Sequence, residues 1–136
     1  MFITTQGFKR LINEAYKGIG LRVGNAGSGY YLSGGFWAIW IQHGCLPKKE
    51  LASIIELTGE LPSPGEAFKA TKEGNQYELP WNDIYAVMDN AEHCDDRMEV
   101  TALTVKYASR QQARILQNLN SGKIILINDR FVDIID

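Results

Sequence analysis

The sequence predicts a single α+β domain built on a mainly antiparallel sheet with about three helices. Two kinds of pattern alternate along it. Runs rich in aromatic and β-branched residues recur between glycine-bearing turns, and segments near 5–17, 47–58 and 81–92 instead space apolar residues at helical intervals. The stretches between these elements are too short to be domain linkers, so one domain over residues 1–136 is expected. A chain of 136 residues can bury roughly two-thirds of its unfolded surface, enough for a core without staples.

The first helix follows Thr4 and Thr5, either of which can cap it. Phe8, Leu11, Ile12, Ala15 and Tyr16 form its apolar stripe, Lys9, Arg10, Asn13, Glu14 and Lys17 its wet face, and Gly18 its end. Leu21-Arg22-Val23 reads as a strand. Gly24–Gly29 lacks the Gly-Lys-Ser/Thr ending of a Walker loop, and a hairpin turn is expected there in preference to a phosphate cradle. Tyr30–Ile41, five of whose twelve residues are aromatic, holds two strand-like runs around a Ser33-Gly34-Gly35 reversal and is the expected centre of the sheet.

Pro47 suits the first turn of a second helix that buries Leu51, Ile54, Ile55 and Thr58, leaves Lys48, Lys49 and Glu50 in solvent and stops at Gly59. Glu66–Thr71 and Gln76–Leu79 make a hairpin. Trp81, Ile84, Tyr85 and Met88 predict a third helix over 81–92, with Asp89 and Glu92 badly placed for its dipole. Val100–Tyr107 and Lys123–Ile127 read as strands, Gln112–Leu116 stays open between strand and helix, and residues 129–135 end as a helical turn. The Ile124-Ile125-Leu126-Ile127 run suggests burial on both faces, hence a central strand.

The net charge of −2 conceals three blocks. Residues 1–49 carry six Lys/Arg against one acid, residues 50–96 two against eleven, and residues 97–136 six against four. Kept apart in space, such blocks make an acidic face able to steer a basic partner, and they disfavour nucleic acid as the direct ligand. No apolar run approaches the roughly 18–20 residues that span a bilayer, and the first residues lack signal-peptide order. A cytoplasmic protein is expected.

The chemistry-bearing residues are few. His43 with Cys45 and His93 beside Cys94 have the composition of a Cys₂His₂ zinc site without a known zinc spacing. Separate residues are expected, with a metal site or a Cys45–Cys94 disulfide as the alternatives. Asp89, Glu92, Asp95, Asp96 and Glu99 lack the pattern of a calcium loop and read as a solvated acidic docking surface. No serine lies in a nucleophile elbow, so no catalytic residue and no cofactor are expected. By alternation Trp37, Ile39 and Ile41 share one face and Phe36, Ala38 and Trp40 the other. Tyr30, Trp37 and Trp40 either lie under helices or add an aromatic patch to the docking surface.

Tyr30–Phe36, Leu46–Leu51 and Ile124–Asp133 together resemble small uncharacterised proteins encoded by phages and mobile elements. The opening helix, strand, Gly-turn and strand are also similar to half of a sliding-clamp domain. The first resemblance implies a non-enzymatic accessory protein that inhibits or modulates a host or defence nucleic-acid-binding enzyme, acting as a monomer or small homo-oligomer. The alternative is a small-ligand or metal-dependent protein built on Gly24–Gly29 and the His/Cys pairs.

Overall fold

A computed structural model describes residues 2–135, without the side chain of Ala108. The order of elements is α1 (Thr5–Lys17), β1 (Leu21–Ala26), β2 (Gly29–Ser33), β3 (Ala38–Gln42), α2 (Lys48–Thr58), β4 (Ala67–Thr71), β5 (Gly74–Glu78), α3 (Ile84–Glu92), β6 (Glu99–Ala108), β7 (Gln111–Gln117) and β8 (Ile124–Asn128), closed by a 3₁₀ turn at Asp129–Phe131. Among the described residues the fold is α+β, with three helices and eight strands, every named pairing antiparallel. The strands divide into a five-stranded sheet, order β3-β2-β1-β4-β5, and a three-stranded sheet, order β6-β7-β8.

The five-stranded sheet is covered on both faces. Thr4 Oγ1 accepts the Gly7 amide at 3.0 Å and starts α1, whose Phe8, Leu11, Ile12 and Ala15 pack with Leu21, Val23, Leu32, Ile39, Ile41 and Phe68. Ile54 of α2 completes that core. Each such large side chain, fully buried, contributes about 1.5–3 kcal/mol. The opposite face carries Ala26, Tyr31 and Ala67 under Ile84 of α3, with Ala38, Trp40 and Met88 at the margin. The alternation read from the sequence therefore holds for Ile39 and Ile41 against Ala38 and Trp40.

Two close approaches depend on glycine. The Tyr31 ring lies flat over Gly24, where a Cβ would come within 2.0 Å of it, and its hydroxyl accepts the Trp81 amide at 3.1 Å. Gly7 lets the C-terminal segment reach α1, since a Cβ there would meet Ile134 at 2.6 Å. The Thr4 amide donates to the Ile134 carbonyl at 2.9 Å, and Ile3 bridges Ile135. The chain end is thus part of the core.

Several expectations change. Pro47 sits one position before α2 as its cap, and Glu50 is buried because it accepts a 2.6 Å hydrogen bond from Thr5 Oγ1 on α1. Ile55 is exposed instead. The helix read over 81–92 begins at Ile84, so Trp81 precedes it, and of Trp81, Ile84, Tyr85 and Met88 only Ile84 is fully buried. Gln112–Leu116, left open between strand and helix, lies within the strand β7, paired on both sides. Finally, β8 is an edge strand with Ile124, Ile125 and Leu126 exposed. Hydropathy of a run reports what needs cover and not which sheet supplies it.

Gly24→Ala should destabilise the fold by about 1–3 kcal/mol through overpacking against Tyr31. Chemical denaturation measures it, and Gly24→Ala with Tyr31→Leu should recover much of the loss.

Candidate functional site

The acidic residues lie on one continuous segment from the end of α3 to the start of β6. Asp89, Glu92, Asp95, Asp96 and Glu99 are all exposed. Their neighbours differ. Asp96 is built into the turn between β7 and β8: its Oδ1 accepts from Asn118 Nδ2 at 2.6 Å, and its Oδ2 lies 3.4 Å from Lys123 Nζ. Asn118 is buried, and its own Oδ1 accepts the amides of Asn120 and Ser121, both at 2.9 Å. Asn118 did not stand out in the sequence as a site residue; its Asn-x-Asn-Ser-Gly surroundings, a turn-forming composition, were the available signal.

Asp89 lies on α3, and His93, four residues on, caps its C-terminal end. His93 Nδ1 lies 2.9 Å from the Asp89 carbonyl and 3.5 Å from Asp89 Oδ1. The carbonyl contact first, and the carboxylate second, raise the His93 pKa above its ordinary value. The imidazolium partly offsets the unfavourable charge of Asp89 and Glu92 at this helix end. Arg97 closes the segment by donating to the Glu92 carbonyl at 2.9 Å.

The three aromatic candidates do not form one patch. Trp40 is half-buried on the α3 side and meets Tyr85 edge to face, ring centroids 5.7 Å apart. Tyr30 pairs with Ile41 across the ladder, on the opposite face, and meets the His43 ring at 4.8 Å. Trp37 packs at the margin of the α1 core. Trp81 and Tyr85, read from the sequence only as positions at helical spacing, are both exposed, Tyr85 beside Trp40. Tyr31 also meets Trp81 edge to face at 6.3 Å, so the α3 side carries four aromatic rings in two pairs.

Cys45 and Cys94 are free and exposed, and among the described residues no three His, Cys, Asp or Glu side chains are placed to hold a metal ion. His43 stands against Tyr30, whereas His93 caps α3. Gly24–Gly29 is the β1–β2 hairpin, with Ala26 opposite Gly29, and the space above Gly24 and Gly29 is filled by Tyr31, Trp40 and the Ile41 carbonyl.

NMR titration of His93 should give a pKa above its ordinary value of about 6.5. Asp89→Asn removes the carboxylate but keeps the carbonyl contact, so the value should fall only part-way. Because the folded pKa is raised, the contribution to stability is complete below about pH 6.5 and is lost as pH rises through the folded value.

Compared with protein-family models, curated proteins and solved structures, the chain finds no match.

Proposed function

We propose that this is a non-enzymatic binding protein that docks on a basic protein surface through α3 and the acidic segment that follows it. The observation behind the reading is the outer side of α3. Ile84 is its only fully buried residue, while Tyr85 is 55% exposed and Val87 47%, and Asp89 and Glu92 follow on the same helix. Apolar and aromatic area beside acidic charge is the composition of an interface with an apolar centre and a charged rim. The Trp40–Tyr85 contact holds the ring in place before binding, which lowers the ordering cost.

The two parts have different roles. Exposed ion pairs contribute about 1 kcal/mol or less each, so Asp89, Glu92 and Asp95 act mainly on encounter rate and orientation. The aromatic platform supplies the contact energy. A basic groove that ordinarily receives nucleic acid has the complementary charge, and occlusion of such a groove in a host or defence enzyme is the proposed mode of action. The resemblance to phage and mobile-element proteins is consistent with that role. Tyr30 and Trp37 lie away from this surface and are left out of it.

The test is affinity capture at low and high salt with wild-type protein and two variants. Proteins retained by the wild type should be enriched in nucleic-acid binders and released at high salt. Tyr85→Ala should weaken a captured partner by about 2 kcal/mol, roughly 30-fold. Asp89→Lys with Glu92→Lys and Asp95→Lys should slow association more than it speeds dissociation. An unchanged set of retained proteins with the charge-reversed variant contradicts the reading.

A further inference from the structure

A cavity of about 760 Å³ lies between the β6–β7 turn and the closing 3₁₀ turn. That falls within the range of small-molecule sites, roughly 300–1,000 Å³. Lys106 of β6 and Gln112 of β7 lie opposite each other in the ladder and so share one face of the sheet. Arg110 joins them from the turn, and Asp129, Arg130 and Asp133 from the chain end. Every side chain that lines the cavity is polar or charged. Sites of this size are usually lined mainly by apolar side chains, so the composition here selects a ligand that is polar throughout.

The charges divide into those already paired and those left open. Asp129 is held by Arg114 at 2.7 Å. Arg130 has Nη1 3.3 Å from Glu14 Oε2 and its guanidinium over the Phe131 ring at 4.9 Å. Among the described residues Lys106, Arg110 and Asp133 make no ion pair. Two open cations thus share the cavity with one open carboxylate.

Arg110 adds an independent observation. At a φ of 63° it is the one non-glycine residue among those described in left-handed backbone, and it stands in a two-residue hairpin turn that favours Gly, Asn or Asp. A Cβ is unfavourable there, and the position nevertheless supplies a guanidinium to the cavity. Backbone strain of this kind collects at ligand clamps.

We propose that this cavity binds the phosphate monoester of a sugar or similar polyol. A phosphate monoester carries about −1.5 to −2 charge at neutral pH, which matches Lys106 and Arg110 together, and the arginine fork engages two phosphate oxygens at once. Asp133 and Gln112 meet the hydroxyl groups. Inorganic phosphate alone would leave most of the volume to water. No aromatic ring lines the cavity, so a nucleobase has nothing to stack on, which separates a sugar phosphate from a nucleotide. The site shares no residue with α3 or the acidic segment, so it is separable from the partner surface.

Isothermal titration calorimetry with ribose 5-phosphate, glucose 6-phosphate, AMP, inorganic phosphate and ribose tests the proposal. At least one of the two sugar phosphates should bind with a sub-millimolar Kd, about tenfold tighter than inorganic phosphate, with AMP no tighter than ribose 5-phosphate and ribose unbound. Lys106→Ala and Arg110→Gly should each weaken the ester about tenfold or more. Arg110→Gly should do so with the melting temperature unchanged or raised, because glycine adopts a φ of 63° without strain. Asp133→Ala should narrow the preference for the ester over inorganic phosphate. Failure of both sugar phosphates to bind at millimolar concentration, inorganic phosphate or AMP binding more tightly than either, or affinity indifferent to Lys106→Ala would each overturn the proposal. Should Arg110→Gly alter the fold, Lys106→Ala, an exposed strand position outside the turn, decides alone.

Discussion

Helical cover is the constraint on which the rest of this structure depends. Eight strands present far more apolar surface than three helices can bury, and the chain resolves this by concentrating its helices on one sheet. Phe8, Leu11 and Ile12 of α1 and Ile54 of α2 cover one face of β1–β5, and Ile84 of α3 covers part of the other. Ile3 and Ile134 fasten the two chain ends into the same core, with Gly7 allowing the approach. The three-stranded sheet is joined to this body through the 3₁₀ turn, where Arg114 Nε meets Asp129 Oδ1 at 2.7 Å and Arg130 donates a salt bridge to Glu14 of α1 at 3.3 Å.

That division separates a firmly held half from one whose apolar side chains lie in solvent. The α3 helix, with one fully buried residue, lies between the two in the chain, and the acidic segment leads from it directly into β6. Opening free energies follow buried apolar contact, so α3 and the β6 edge should belong to the less stable part of the molecule. Segments of that kind are well suited to binding, because their exposed side chains need cover that a partner can provide.

How much of this was legible in the sequence varied with the range of the interaction concerned. The α1 stripe, its Thr4 cap and the β1–β2 hairpin were readable, since each depends on residues a few positions apart. Glu50 was not, because its partner Thr5 is 45 residues away and nothing local separates a buried carboxylate from a solvated one. Trp81, Tyr85 and Met88 have correct helical spacing, yet spacing defines a face without saying whether anything covers it. The Ile124–Ile127 run was misassigned for the same reason: a central strand and an uncovered edge strand need the same residues. In the candidate site the acidic cluster was plain from composition, whereas the pairing of Trp40 with Tyr85 required the fold to bring residues 45 apart together.

Hydrogen exchange read by mass spectrometry tests the division most directly. The account predicts that β1, β2 and β4 exchange only through global unfolding and that residues 99–128 exchange by orders of magnitude faster. Equal protection across both sheets would mean that the molecule unfolds as one unit with no uncovered half, and would contradict it.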